Sequence, residues 1–148
     1  MEKRAIQYGK KHELNLKVII GLYRLQLQVN RSTQRMLSSH GLTVAQFGVL
    51  EAVYHLGPMS IGEILAKTLS TSGNMTVVLR NLEKEGWIQR NSDPRDGRVS
   101  RIELTAKGRK LVQGIFPEHL RDLDRALGNL EEAEKAELVR LFKKWSGI

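Results

Sequence analysis

Ten residues, Ser70 to Leu79, carry no charge, yet they hold four hydroxyls and the amide of Asn74. Arg80 and Lys84 follow a turn or two later. Read as a helix from about Ser72 to Glu85, this segment buries Met75, Leu79 and Leu82, with Val78 beside them. Its other face then presents Ser72, Gly73, Asn74, Thr76, Val77, Arg80, Asn81 and Lys84. Small residues let a helix sit deep in a DNA major groove. Hydroxyls and amides bond base edges or phosphates, and a valine can meet a thymine methyl. The free amides at the helix start favour a phosphate, and Arg80 and Lys84 can reach the backbone. Ser70, Thr71 and Ser72 are N-cap candidates. The competing reading is a plain amphipathic surface helix. Such helices usually carry Glu and Lys in their first half, which this one lacks.

A second group follows at Asp93-Pro-Arg-Asp-Gly-Arg98. Arg95 and Arg98 are suited to a narrow minor groove, which attracts arginine. Asp93 and Asp96 would repel phosphate if free. They are expected to accept from the arginines or from loop amides and so hold the tip in shape. The same residues also suit an ordinary charged turn; their place directly after the candidate groove-reading helix favours the DNA reading. The span from Ser70 to Lys110 is therefore the expected DNA contact. Lys107 to Lys110 form the basic start of the next helix.

Other chemistries find little support. The chain has no nucleophile–base arrangement, glycine-rich phosphate loop or metal-ligand spacing, so no enzyme activity, metal or cofactor is expected. His12, His40, His55 and His119 show no i, i+4 pairing and read as surface or cap histidines. The absence of cysteine excludes disulfides, thiolate metal sites and cysteine redox sensing. No apolar run nears the roughly 18 residues of a membrane span, and the N-terminus lacks a secretory signal's apolar stretch. A cytoplasmic protein without a membrane partner is expected.

The 148 residues suit one domain. Aromatics make up only 5%, so aliphatic side chains must fill most of the core. The net charge of +8 is uneven: +6 over residues 1–35, −2 over 36–66, +5 over 67–110 and −1 over 111–148. Two basic blocks around a weakly acidic one suit a face that binds a polyanion.

The elements that must position these groups can be read from periodicity and caps. Apolar residues from about Glu13 to Ser39 recur at helical spacing: Leu14, Val18, Leu22, Leu25 and Val29. Leu16, Ile19, Ile20, Tyr23 and Leu27 widen the stripe, which implies burial on more than one side. Gly41 ends that helix. Thr43-Val-Ala-Gln46 and Ser60-Ile-Gly-Glu63 are capping boxes that start two more. Phe47, Leu50 and Tyr54 face inward from the first of these, and Ile61, Ile64, Leu65 and Leu69 from the second. Gly57-Pro58 separates the two, and Gly86 closes the groove-reading helix. Trp87 to Asn91 and Val99 to Leu104 alternate as two strands of a hairpin. Thr105 caps a helix with Leu111, Val112, Ile115, Phe116, Leu120, Leu123 and Leu127 apolar, bent at Pro117. A last helix runs from about Glu131 to Trp145, with acids first and Lys143-Lys144 last, as the helix dipole favours. The fold is thus mainly α with a small β-hairpin. A winged helix-turn-helix spans about residues 43–104, with helical regions at about 1–40 and 105–148.

Three segments together resemble the MarR family of bacterial regulators: Ser70 through Gly86-Trp-Ile-Gln-Arg90, Asp93-Pro-Arg-Asp-Gly-Arg-Val99, and Leu104-Thr-Ala-Lys-Gly108. The likeness covers nearly the whole chain in length and element order. Its most specific part is the wing motif with the Leu-Thr-x-x-Gly after it. The resemblance implies a homodimeric winged-helix protein on pseudo-palindromic double-stranded DNA, usually a repressor, often released by a small phenolic or lipophilic molecule. It makes Ser70 to Arg80 the recognition helix, Arg95 and Arg98 wing arginines near DNA, and Asp93 and Asp96 wing supports. One branch senses oxidants through a cysteine in the first helix, which this chain lacks. Another senses zinc through clustered histidines and acids, which it does not match.

The flanking helices carry apolar faces that the DNA-binding unit does not need. Leu14, Val18, Phe116, Leu138, Leu141, Phe142 and Trp145 are therefore expected in a dimer interface, which would set two recognition helices about 34 Å apart. Packing onto the same subunit alone is the other possibility. Tyr23, Phe47, Tyr54 and His55 are candidate lining residues for an effector pocket, though they suit ordinary core or surface equally well. Two other functions fit the fold: a winged-helix protein-interaction module, and a regulator with no small-molecule inducer.

Overall fold

The structure, a computed structural model, describes residues 8–68, 72–94 and 96–147, with Ser72 as backbone only. The elements in order are α1 (Lys10–Ser38), α2 (Val44–Leu56), β1 (Met59–Ser60), α3 (Ile61–Thr68), α4 (Ser72–Lys84), β2 (Ile88–Ser92), β3 (Ser100–Leu104), α5 (Ala106–Ala126) and α6 (Glu132–Ser146). This is a winged helix-turn-helix with a long helix before it and two helices after it.

Local chemistry sets most of the boundaries. At the start of α2, Thr43 Oγ1 accepts from the Gln46 amide at 3.2 Å, and Gln46 Oε1 accepts from the Thr43 amide at 2.9 Å. Ser60 and Glu63 make the same reciprocal pair at α3, at 3.3 and 2.7 Å. Each box satisfies two amides that the helix start leaves without partners. At the end of α4, Gly86 takes φ 68°. The Trp87 amide reaches Leu82 O and the Gly86 amide reaches Glu83 O, the double closure that favours glycine here. The chain then passes directly into β2.

The sheet has three strands, in the order β1-β3-β2, all antiparallel. Sequence pattern predicts only the β2–β3 hairpin. β1 adds two residues, Met59 opposite Ile102 and Ser60 opposite Arg101. A two-residue strand is too short to show an alternating pattern, and Gly57-Pro58 reads as nothing more than a helix stop.

The core lies inside the winged unit and the first half of α5. It is built from Phe47, Val49, Leu50 and Val53 of α2, Ile64 of α3, Met75, Val78, Leu79 and Leu82 of α4, Ile88 and Ile102 of the sheet, and Val112 and Ile115 of α5. Met36 and Leu37 join α1 to it. Tyr54, Ile61 and Leu65 pack around its edge, and Leu69 lies outside the described residues. The helix α5 continues through Pro117, and its buried face is Gly108, Val112, Ile115, His119 and Asp122. His119 is thus not the surface or cap residue expected. It is buried with its ring edge-on to Phe47, the centroids 5.0 Å apart.

The outer helices differ from the core. Of the 29 residues of α1, only Thr33, Met36 and Leu37 are buried. The broad stripe that implied burial on more than one side is open within a single chain: Leu14, Leu16, Val18, Ile19, Ile20, Tyr23, Leu25 and Leu27 are all exposed. α6 has no buried residue at all. The buried carboxylate of Asp122 fastens α5 to α1 by accepting from Ser32 Oγ at 2.5 Å, with Thr33 Oγ1 at 3.4 Å.

Candidate nucleic-acid interface

The register of α4 follows from its core contacts. Met75, Val78, Leu79 and Leu82 recur at steps of three, one and three residues and are buried. That turns Gly73, Asn74, Thr76, Val77, Arg80 and Lys84 outward, and all six are exposed. Val77 is 48% exposed, although an apolar β-branched residue gains nothing from facing water on a helix. Among the described residues, this face carries no charge until Arg80. The N-terminal half is therefore narrow and uncharged, with hydrogen-bonding groups at Asn74 and Thr76, and the cations come behind it. Ser70 and Thr71 lie outside the described residues, and of Ser72 only the backbone, the first residue of the helix, is described.

The wing is closed by backbone and acid together. The Asp93 amide donates to Val99 O at 2.8 Å, and the Val99 amide to Asp96 O at 2.9 Å. Asp96 Oδ1 accepts from the Arg98 amide at 3.0 Å. Asp96 therefore holds the tip through a loop amide, and the Arg98 side chain is left exposed. Arg95 lies outside the described residues. Asp93 is buried, only 8% exposed, and its Oδ2 accepts from Arg101 Nε at 2.5 Å.

Arg101 was not among the residues picked out from sequence. Its backbone pairs with Ser60 of β1, while its side chain joins three places. Nε bonds Asp93 at the base of the wing, and Nη1 donates to Pro58 O at 3.0 Å and to Glu63 Oε2 at 3.4 Å. The amide and then the hydroxyl of Ser60 hold the Glu63 carboxyl below its ordinary range, and Arg101 adds to the effect. The hydrogen bond to Asp93 raises the Arg101 guanidinium above its ordinary value. The one sequence signal was an arginine beside the inward Ile102 in a strand, which does not reveal its partners.

Three side chains brace the winged unit and join it to α5. Arg90 of β2 pairs with Glu83 of α4 at 2.9 Å. Lys107 Nζ donates to Glu85 O at 2.6 Å, so this lysine holds the α4 corner. Thr105 Oγ1 accepts from the Gly108 amide at 3.0 Å and donates to Gly86 O at 2.7 Å.

The four effector-pocket candidates fall differently. Tyr54, His55, Phe116, His119 and Phe47 form a chain of ring contacts, with centroids 4.8 to 6.0 Å apart. Tyr23 stands exposed on α1, outside that chain. A groove of about 730 Å³ runs along α2 between Val44 and Leu56, with Lys67 and Thr68 of α3 on its other wall, and of the four only His55 lines it. Of the dimer candidates, Leu14, Val18, Leu138, Leu141, Phe142 and Trp145 are exposed, while Phe116 is half-buried against His55. No helix among the described residues is long and apolar enough to cross a membrane.

Comparison with known proteins agrees with this architecture. The MarR family model matches residues 42–100, the span from the start of α2 to the start of β3. The HTH-type transcriptional regulator MhqR of Bacillus subtilis is 33% identical over 132 residues, covering 89% of this chain and 91% of its own. The structure also resembles Bordetella bronchiseptica BpsR, whose DNA binding is described as regulated by 6-hydroxynicotinic acid. The TM-score is 0.79 and the identity 28%, over 88% of this chain and 98% of that one. A mutant MarR from E. coli complexed with operator DNA matches with a TM-score of 0.71 and 28% identity, over 86% and 95% of the two chains. A relative alike over nearly its whole length, the family match over the winged unit and the shared fold lead to one conclusion: the chain belongs to the MarR family of winged helix-turn-helix, DNA-binding transcriptional regulators.

Proposed function

We propose that this chain acts as a homodimer on a pseudo-palindromic operator, reading bases with the start of α4 and the flanking backbone with Arg80, Lys84 and the wing. The observation that carries the reading is the outer face of α4. Gly73, Asn74, Thr76 and Val77 are exposed, uncharged and small enough for a major groove, with cations only behind them. Selection of bound duplexes from random DNA, followed by footprinting, tests it. The expected winner holds two inverted half-sites about one helical turn apart, bound with a steep salt dependence. Failure to bind any duplex at low salt would favour a protein-interaction module instead.

Repression relieved by a small aromatic or lipophilic molecule completes the proposal. The ring chain from Tyr54 to Phe47 and the groove beside His55 support it, as does the ligand named for BpsR. A first probe is 6-hydroxynicotinic acid, titrated into the operator complex. Release of DNA by it or by simple phenols is expected. A complex insensitive to all of them points to a regulator with no such inducer.

A further inference from the structure

We propose that Arg101 is a positioning residue that fixes the wing relative to α3 and α4, so that wing and recognition helix meet DNA in one geometry.

The backbone alone provides little for this purpose. The wing hairpin joins the helical part of the unit through β1, and β1 contributes only the two pairs Met59–Ile102 and Ser60–Arg101. The base of the hairpin is also held by Ile88 and Ile102 in the core and by the Arg90–Glu83 pair, so what this short ladder leaves to side chains is the loop end, from Asn91 to Ser100. The Arg101 guanidinium supplies cross-ties at that loop end. Its Nε holds Asp93, the buried residue at which the wing loop begins. Its Nη1 holds Pro58 O, in the turn that delivers the chain to β1, and Glu63, in the first turn of α3. Glu63 is itself fixed by the Ser60 amide at 2.7 Å. One planar fork thus joins the wing base, the α2–β1 turn and the helix that precedes α4. A rigid guanidinium suits this role because it offers several donors in fixed directions, whereas an ammonium would have to choose among them.

Arg101 is engaged through Nε by the buried Asp93 and through Nη1 by Pro58 O and Glu63, which commits it to holding the wing. It therefore acts on DNA recognition through the placement of Arg98, without touching the duplex itself. This rests on the DNA-binding reading only for its consequence; the geometric claim stands alone and can be tested alone.

The chain has no cysteine, so nitroxides can be placed freely. One is put on the wing as Gly97→Cys and one at the end of α4 as Glu85→Cys. Labelled chain is diluted into excess unlabelled chain, and pulsed electron resonance gives the distance within one protomer. A narrow distribution is expected with Arg101 present, and a broad one in both Arg101→Gln and Glu63→Gln. The second variant leaves the Arg101–Asp93 pair intact, so its broadening must arise through α3. Amide exchange across the β2–β3 ladder is followed in the same samples and is expected to keep its protection. Unchanged distributions in both variants overturn the proposal. Broadening only in Arg101→Gln, together with loss of ladder protection, also overturns it, because Arg101 then merely holds the hairpin together. Broadening in Arg101→Gln with the ladder intact supports it, the Pro58 contact then being the tie that matters. The consequence for DNA is read in a double-mutant cycle: Arg98→Ala weakens operator binding in the parent and has little further effect with Arg101→Gln, while Asn74→Ala keeps its full effect in both.

Discussion

A Cβ built on Gly108 stands 1.9 Å from the carbonyl oxygen of Trp87. The first turn of α5 is pressed onto the backbone where α4 gives way to β2, and only a hydrogen fits between them. Thr105 fastens the same junction, with its amide on Trp87 O at 3.1 Å and its hydroxyl on Gly86 O. The Leu-Thr-x-x-Gly segment is thus the joint between the DNA-binding unit and the helices beyond it.

Gly108→Ala is expected to destabilise the fold, because the clash is with backbone and no side chain can move aside to relieve it. Overpacking of this kind costs about 1–3 kcal/mol. Gly114 provides the control: it lies in the same helix with nothing within 4 Å of its Cβ position. Gly114→Ala should stabilise by roughly 0.5–1 kcal/mol through helix propensity alone. Denaturant unfolding of the two variants should therefore move in opposite directions. A Gly108→Ala midpoint at or above the parent's would mean that the junction is looser than the geometry states.

Legibility from sequence depends on which interactions are local. The Thr43–Gln46 and Ser60–Glu63 boxes span three residues each, so the sequence shows both partners at once. The buried face of α4 is legible for the same reason, since Met75, Leu79 and Leu82 fall on one side of any helix drawn through them. Arg101 was not legible. Its partners Pro58 and Glu63 come from a different part of the chain and reach it only through a strand of two residues. His119 falls four residues after Ile115 and seven after Val112, on the same side of α5, so periodicity does reach it. A lone histidine on that side simply does not announce burial, which here comes with its ring edge-on to Phe47. The stripe along α1 was visible, but what covers it was not.

The outer face of α4 and the wing make separable predictions. Arg98 is exposed, and only its backbone amide bonds Asp96. Arg98→Ala should leave the hairpin intact and weaken binding to all duplexes alike. If its contact is a phosphate, the slope of log K against log salt should also shrink by about 0.9. Asn74→Ala should instead relax the preference at one base position by about 1–3 kcal/mol, with the salt slope unchanged. Competition assays at several salt concentrations tell the two apart. Equal loss of specificity in both variants would remove the distinction between base reading and backbone holding.

The Asp122 carboxyl ties α5 to α1, and its acidity carries a pH signature. Burial pushes its pKa up, but hydrogen bonds from Ser32, Arg125 and Thr33 outweigh that, and the net shift is downward. A carboxyl with a lowered folded pKa stabilises the fold at pH values above its unfolded pKa of about 3.9, and that contribution fades as the pH falls through the folded value. Melting curves from pH 6 down to pH 2 should therefore show Asp122→Asn losing less stability on acidification than the parent. At pH 6 the variant should be the less stable by about 1–3 kcal/mol, the usual cost of removing a charged partner from a buried hydrogen bond. Parallel pH profiles for the two proteins would show that the Ser32–Asp122 contact contributes nothing that depends on ionisation.

The apolar residues of α6 lead to the last prediction. Leu138, Leu141, Phe142 and Trp145 recur along one side of a helix that buries nothing in its own chain. Exposed apolar residues are ordinary when scattered, but a row of four with an aromatic pair marks a surface that another surface covers. Leu141→Glu puts a charge in the middle of the row without touching the core within the chain. The winged unit should stay folded, and sedimentation should shift from dimer to monomer. Operator binding should then fall by about a hundredfold or more, since two half-sites can no longer be held by one molecule. An ordinary surface position would tolerate glutamate with little change in any of these readouts. A Leu141→Glu protein that still sediments as a dimer would therefore move the interface away from α6 and onto the exposed face of α1.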